Sequence, residues 1–356
     1  MSLASASLRR LAPAVLALLV WTGPVLAATL ENMYGVTVTP DPAARNQRET
    51  AIQTAMSKLL IRVTGNGNAP LDPTLQPMIL APDEFLTSYG LDLRGQALVG
   101  FNGTRVERRL AELGVRFWGA ERPLTLLWVA VDDGAGGRAL LGADAAAELA
   151  AAATPQMAEL LTAVREEIVS AAQERGLPIA WPLLDLEDLS RVEFLDVWGK
   201  FEDRIVAASA RYRADAVLIG SVRPGIFGHE VEWLFVNGFE RQNLPSAAVR
   251  DGLDAAADRF AAELGTIGGP SATLLTVRNV STPRDYARVL SYLERQSVLE
   301  SVDVESFNAG TLSLRVAARG DAGVLERVFA LGGVLRPAFG GAGSLSFELV
   351  EGGALR

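Results

Sequence analysis

The amino-acid sequence predicts an α/β to α+β protein, and three observations carry that prediction. Apolar strand patterns alternate with amphipathic helix patterns over residues 28–265. After a Gly/Pro cluster at 265–271 the pattern becomes strand, helix, two strands, helix and strand. Hydrophobic residues make up 49% of the chain and charged residues 21%, a composition that can bury sizeable cores. We therefore predict a mixed-sheet α/β region at 28–265 and a second domain at 271–356.

The first 27 residues have the features of a secretory signal peptide. Arg9 and Arg10 form a positive n-region, LAPAVLALLVW is an apolar h-region, and VLA at 25–27 places small residues before Ala28. The apolar run is shorter than the roughly 20 residues that cross a bilayer, and a proline interrupts it. We therefore expect a signal peptide at 1–27 and no membrane span after its removal.

Charge and cysteine content restrict the compartment and the partners. The chain has no cysteine, which excludes disulfides, thiolate metal sites and a lipid anchor on an N-terminal cysteine. Without the two arginines of the n-region, 31 basic and 42 acidic residues leave a net charge of −11. A negative net charge disfavours nucleic acid and anionic lipid as partners. We expect a soluble protein of the bacterial periplasm without a cofactor.

Strand and helix patterns begin directly after the predicted signal peptide. YGVTVTP at 34–40 alternates like a strand, and Asp41 with Pro42 predicts a helix start. Four apolar residues at spacings of four, three and four predict the buried face of that helix: Ile52, Met56, Leu59 and Val63. Four prolines then predict an irregular connection at 69–92.

The same alternation continues from residue 95 to residue 265. The predicted strands are 95–102, 122–133, 177–188, 214–222 and 229–238. The predicted helices are 103–114, 155–176, 198–212 and 245–265. Residues 134–154 are rich in alanine and glycine, and either a flexible segment or a weak helix fits them.

The region after residue 271 has the most regular pattern of the chain. A strand begins at 273, a helix follows at 282–296, and a hairpin of two strands turns around Asn308–Gly310. A helix at 322–332 and a final strand at 344–350 complete the order β-α-β-β-α-β. This order predicts a ferredoxin-like domain, a fold that by itself implies no activity.

Five carboxylates are candidate ligand-binding residues because each follows a predicted strand. Asp185, Glu187 and Asp188 end one strand, and Asp132 and Asp133 end another. Ligands of open α/β sheets bind at that edge, so parallel neighbouring strands would bring the carboxylates together for Ca²⁺, Mg²⁺ or acid/base chemistry. The alternative, which the composition favours, is that they cap helices and pair with nearby arginines.

Two tryptophans flank the acidic stretch. Trp181 and Trp198 beside carboxylates suit sugar binding, while aromatic residues also close the edge of a core. His229 is the only histidine of the chain, and no triad motif, zinc motif or phosphate-binding loop accompanies it. Nothing in these motifs indicates a catalytic residue or a metal site based on histidine.

Two blocks resemble an uncharacterised bacterial family of exported proteins, domain of unknown function 2066. They are RPLTLLWVAVDD and the stretch that contains WPLLDLED and DVW. The resemblance covers most of residues 30–250 and implies export without any known activity. IVAASARYRADAVLIGSV is also similar to helix–strand units of periplasmic accessory proteins, which bind protein partners.

The sequence leads to two hypotheses about function. The first is a non-enzymatic periplasmic protein that binds an envelope protein, with peptidoglycan as a second class of partner, in cell-envelope maintenance. The second is a glycan hydrolase that uses Asp185 or Glu187 with Asp132 or Asp133, or a protein that binds a divalent cation there. The single histidine and the absence of cysteine favour the first hypothesis.

Overall fold

In a computed structural model of the protein, the described residues are 32–226, 228–244, 246–338 and 345–350. The predicted signal peptide lies outside them. The strands are β1 Gly35–Val38, β2 Leu86–Leu91, β3 Ala97–Phe101, β4 Thr125–Asp132, β5 Arg138–Leu141, β6 Ile179–Ala180, β7 Ala216–Gly225, β8 Gly228–Asn237, β9 Glu240–Leu244, β10 Ser271–Arg278, β11 Leu299–Asn308, β12 Thr311–Ala318, β13 Leu335–Pro337 and β14 Leu345–Leu349. The α-helices are α1 Gln47–Thr64, α2 Gln76–Leu80, α3 Gly103–Glu112, α4 Ala145–Ala151, α5 Pro155–Arg175, α6 Leu186–Arg191, α7 Phe194–Trp198, α8 Glu202–Ser209, α9 Asp251–Leu264, α10 Pro283–Leu293 and α11 Ala322–Leu331. The α/β class is confirmed, with strands grouped in three sheets.

The first unit is a three-stranded antiparallel sheet, in the order β1-β3-β2, packed against α1 and α3. The predicted inner face of α1 is fully buried. The helix begins later than predicted, because the side chain of Asn46 accepts the Glu49 amide and caps it. Asp41 instead accepts the Ala43 amide in a turn. The segment 69–92 is also more regular than predicted, since it contains α2 and β2.

The second unit is a six-stranded sheet with the main order β5-β4-β7-β8-β9, to which β6 adds beside β4. β4 is parallel to β7 and to β6, and the other pairs are antiparallel. α5 and α9 cover one face of this sheet, and α6, α7 and α8 cover the other. Because both faces are covered, the inner strand β4 is a continuous apolar run without alternation. Trp128 and Trp233, which lie within β4 and β8, are buried in the core.

Residues 134–154 form a strand and a helix. The chain leaves β4 through a turn in which Asp133 accepts the Ala135 and Gly137 amides, and it returns antiparallel as β5. Asp144 then accepts the Ala147 amide and caps α4. The sequence pattern missed β5 because this strand has only four residues and is stabilised by its pairing with β4.

Four further elements differ from the prediction. The helix predicted at 245–265 is α9, which begins only at Asp251. The strand predicted at 177–188 has two residues, β6, and the acidic part belongs to α6. The helix predicted from Trp198 is interrupted at Lys200, whose φ of 53° ends α7 before α8 begins. β9 was not predicted, because its sequence ERQNL is polar.

The third unit is a five-stranded sheet in the order β11-β12-β10-β14-β13, with α10 and α11 in its core. It contains one strand more than the predicted β-α-β-β-α-β unit, because β13 precedes the last strand. β14 returns antiparallel to β13 and lies beside β10, to which it is parallel. The α/β character of this region is confirmed, whereas the specific ferredoxin-like fold stays a prediction because of this extra strand.

Buried polar contacts join the units. The Arg122 guanidinium is buried and donates to backbone carbonyls at the ends of α1 and α5, among them Arg62 at 2.8 Å and Arg175 at 3.2 Å. The carbonyl ends of helices attract a cation, which explains the position of this arginine. The Glu121 carboxylate accepts the Ser297 amide at 2.6 Å, and burial raises the pKa of Glu121.

Candidate functional site

The acidic stretch forms the cap of a short helix. Asp185 precedes α6, and its side chain accepts the Asp188 amide at 3.0 Å. Asp188, which is 1% exposed, in turn accepts the Leu184 amide at 2.9 Å. Leu184 has a φ of 50°, a left-handed conformation that costs energy for a leucine and needs such support. These local bonds give the turn into α6 a fixed shape.

Arg211 and Tyr212 hold the same turn from the end of α8. The Arg211 guanidinium donates to both carboxylate oxygens of Asp185, at 2.8 and 2.9 Å, and to Asp188 at 3.1 Å. The Tyr212 hydroxyl donates to Asp188 and accepts the Leu183 amide at 2.8 Å. A bidentate arginine–carboxylate pair is the strong form of such a contact. All three carboxylates of the stretch therefore have arginine partners: Glu187 pairs with Arg191 at 3.1 Å and lies 3.6 Å from the Arg211 guanidinium.

The electrostatics of this cluster keep its outer carboxylate ionised. The Arg211 guanidinium, and secondly the Asp188 amide, lower the pKa of Asp185 to about 2. Burial, together with the hydrogen bond to Asp188, raises the pKa of Tyr212 well above its usual value. A general acid needs a pKa near the working pH, and Asp185 has the opposite shift.

Asp132 and Asp133 lie at the far end of β4 and hold a different turn. Asp132 accepts the Gly134 amide and the Arg138 guanidinium, and these contacts lower its pKa. β6 pairs with β4 at Leu126, near the opposite end of that strand. Among the described residues no hydrogen bond or ion pair joins this aspartate pair to the carboxylates of α6. The structure therefore supports capping and pairing for both groups.

Both candidate tryptophans are half-buried. The ring of Trp181 packs against the core and lies beneath the Arg165 guanidinium at 4.5 Å. The ring of Trp198 is stacked on Phe194, with centroids 5.5 Å apart and planes 20° from parallel. Trp198 also lines an open polar depression of about 460 Å³ beside β7 and β8.

Lys200, which the sequence analysis did not single out, binds two residues that line this depression. The Lys200 ammonium donates to Ser221 at 3.2 Å and to Glu232 at 2.6 Å, and Lys200 lowers the pKa of Glu232. His229 lies at its rim in β8, opposite Pro224. Arg223, Glu230 and Glu232, the acidic and basic side chains among the described residues that line it, all have ion-pair partners.

An apolar groove of about 560 Å³ lies next to the acidic stretch. β5 lines it, with Ala147, Ala151 and Met157 from α4 and α5 on one side. Its other side consists of apolar residues from the acidic stretch: Leu183, Leu184, Leu189 and Phe194. Leu183 and Leu189 are 54% and 52% exposed, so these side chains are available to a partner. The sequence signal for this site was the leucines that flank the carboxylates in LLDLEDL: Leu183 and Leu184 before them and Leu189 after them.

The charge of the protein is concentrated around this groove. Segments 132–148 and 182–204 contain eleven acidic and four basic residues, a net charge of −7 out of −9 for the whole chain. We call these two segments the acidic–apolar face. A surface with this composition favours a partner that is apolar and positively charged.

The described part of the chain contains neither a cluster of metal-ligating residues nor a helix that could span a membrane. No group of three or more histidine, aspartate or glutamate residues lies close enough to hold a metal ion. No helix there has the length and apolar character needed to cross a membrane.

A family model matches the N-terminal part of the chain. The family model "Domain of unknown function (DUF8605)" matches residues 27–119, the segment that contains β1 to β3 and α1 to α3. This match supports an uncharacterised domain family for the N-terminal quarter, and it supports neither the identity with domain of unknown function 2066 nor export. Searches of the curated proteins and of the solved structures found no match.

Proposed function

We propose that the protein is a non-enzymatic, partner-binding protein of the cell envelope and that the acidic–apolar face is its docking surface. One observation carries this proposal: large apolar side chains are exposed along a segment whose carboxylates are already bound internally. Leu186 is 86% exposed, and Leu195 and Phe201 are 57% and 58% exposed. Clusters of exposed apolar residues with a polar rim mark interaction sites.

The rigidity of the segment supports docking. Arg211 and Tyr212 fix the turn that carries Leu183 and Leu184, and the capping box of Glu193 and Asp196 fixes α7. A surface that is already ordered loses little conformational entropy when a partner binds. The carboxylates would therefore act by positioning the leucines, and their charge would select the partner.

The periplasm is the proposed location, and the signal-like residues 1–27 and the absence of cysteine support it. We also propose that the resemblance to domain of unknown function 2066 extends over the second unit. The third unit is proposed to be a ferredoxin-like variant, because β11, β12, β10 and β14 lie in the strand order of that fold. Peptidoglycan remains a second class of partner, with Trp198 as the contact.

Glycan hydrolysis has less support. A pair of catalytic carboxyls lies roughly 5–10 Å apart, and one of them has a raised pKa. Asp132 and Asp185 both have lowered pKa values and hold separate turns. Binding of a divalent cation has little support either, because Asp132 and Asp185 already form ion pairs with Arg138 and Arg211.

In-cell crosslinking of the full chain tests the proposal. A photoreactive amino acid replaces Leu186, and a matched control carries it at Leu71, which is 77% exposed in the first unit. We expect position 186 to capture an envelope protein that position 71 does not capture. Equal capture from both positions, or turnover of peptidoglycan fragments by the purified protein, would contradict the proposal.

A further inference from the structure

β5 has a free backbone edge inside the apolar groove. The Asp133 amide donates to the Gly137 carbonyl at 3.0 Å, and the antiparallel register then directs the amides of Ala139 and Leu141 toward β4. The alternate residues, Arg138 and Leu140, direct their N–H and C=O groups away from β4. No strand of the described residues pairs with that side of β5.

The groove provides apolar contacts on both faces of that edge. A strand beside β5 would direct successive side chains to opposite sides. On one side they would meet Ala147, Ala151 and Met157, and on the other Leu189 and Phe194. Free backbone groups between two apolar walls are the requirements for strand addition by an extended peptide.

The groove is closed at one end, and the surface around the groove is acidic. The Ala143 amide donates to the Pro182 carbonyl at 2.8 Å, and this bond joins the two walls beyond Gly142. Asp144 lines the groove and is exposed. The two segments of the face carry a net charge of −7, which becomes −4 when Arg165, Arg211 and Arg241, the arginines that bind their carboxylates, are included. A short segment with basic flanks therefore fits better than an acidic one.

We propose that an extended segment of the partner, with alternating apolar residues and basic flanks, adds to β5 as a further strand. This inference rests on the proposed function and specifies its binding mode. A segment of four to six residues matches the four residues of β5. Its backbone would donate to the carbonyls and accept from the amides of Arg138 and Leu140.

Synthetic peptides test the binding mode directly. The probe is a blocked hexapeptide of two lysines flanking four alternating valine and leucine residues, and its binding to the full chain is followed by fluorescence anisotropy. We expect saturable binding that weakens with salt and protection of the Arg138 and Leu140 amides from hydrogen exchange. A version with glutamates in place of the lysines should bind at least about tenfold more weakly.

Backbone methylation is the decisive control. N-methylation of the two peptide amides on one edge should abolish binding, and N-methylation on the other edge should leave it unchanged, because only one edge of an added strand faces β5. Equal effects from both would overturn strand addition. Ala151→Trp should fill the groove and reduce affinity at least about tenfold, whereas Ala207→Trp, on the exposed side of α8, should not.

The outcomes separate this inference from the proposed function. If position 186 captures an envelope protein but the lysine-flanked peptide does not bind, strand addition is wrong and the proposed function stands. If position 186 captures no envelope protein and the peptide binds with the expected edge dependence, the binding mode stands and the docking surface must be reassigned to β5 alone. A purified chain that is dimeric, with its β5 amides protected in the absence of peptide, would show that a second copy occupies the edge and would overturn the inference.

Discussion

The two edges of the middle sheet, β5 and β9, differ in how they are protected. β9 has the sequence ERQNL, and its first four residues are exposed. Glu240 pairs with Arg259 and Arg241 pairs with Glu202, so the edge has charged side chains held in place. Such charges prevent pairing with other chains.

β5 has the sequence RALL, and it lies in an apolar groove. Only Arg138 carries a charge on this strand, and Asp132 binds it on the hairpin side. The edge of β9 is thus protected by its own charged side chains, whereas the edge of β5 is protected by the apolar residues on both sides of the groove. A groove of this kind can accept a single extended segment but not a large partner, so its shape makes binding selective.

The largest expected effect comes from removing the support of the groove wall. Asp188→Ala deletes the acceptor of Leu184, Arg211 and Tyr212 in a buried position, and we expect a loss of about 3 kcal/mol in the free energy of unfolding. Urea unfolding followed by tryptophan fluorescence measures this loss. A loss below about 1 kcal/mol would mean that the turn into α6 is held without Asp188.

A smaller effect is expected from placing a charged side chain on β5, like those that protect β9. Leu140→Lys places a charge on the β5 edge, and it should reduce binding of the lysine-flanked peptide at least about tenfold. Leu140 is half-buried against the core, so the free energy of unfolding should fall by about 1–2 kcal/mol. Calorimetric titration and urea unfolding report the two effects, and unchanged affinity would remove β5 from the binding site.

Acid should weaken the Asp185–Arg211 pair. The folded pKa of Asp185, about 2, lies below the unfolded value of about 3.9. The stabilisation is therefore fully present above about pH 4 and is lost as the pH falls toward 2. The difference in unfolding free energy between the wild type and Asp185→Asn should shrink over that window.

The control for this experiment is Glu187→Gln in the same turn. Glu187 is 45% exposed, pairs with Arg191 on the helix surface and lies 3.6 Å from Arg211 without a hydrogen bond to it, so the free energy of unfolding should change by less than about 0.5 kcal/mol. A pH-independent difference for Asp185→Asn would show that its pair with Arg211 does not form in solution.

The smallest effect on stability is expected from making the β9 edge more apolar, like that of β5. Asn243→Val makes an exposed edge residue apolar and β-branched, with a change in unfolding free energy within about 0.5 kcal/mol. The variant should self-associate at high concentration, because an apolar edge strand pairs readily. Sedimentation velocity detects this, and a strictly monomeric variant would mean that neighbouring charges suffice to protect β9.

Local sequence signals predicted part of the site and much of the fold. The capping role of Asp185 depends only on the Asp188 amide, three residues further along the chain. The buried face of α1 likewise follows from the helical spacing of its apolar residues. The long helix α5 likewise begins at Pro155 and ends before Gly176, as its sequence signals predicted. These features were predictable because the interacting atoms are close in sequence.

Other features depend on contacts between distant residues. β5 becomes a strand only by pairing with β4, and β9 only by pairing with β8. The interruption at Lys200 follows from its contacts with Ser221 and Glu232, more than twenty residues further along the chain. Tertiary context overrides weak local propensity in such segments.

The sequence alone determined the α/β class, the apolar strands, most helix ends and the acidic character of residues 182–204. Only the tertiary structure decided that Arg211 binds Asp185, that Asp132 stays separate from it, and that β5 becomes a sheet edge between two apolar walls. Caps and periodic faces depend on neighbours three or four residues away. Sheet order and the meeting of side chains from different elements depend on the packing of the whole chain.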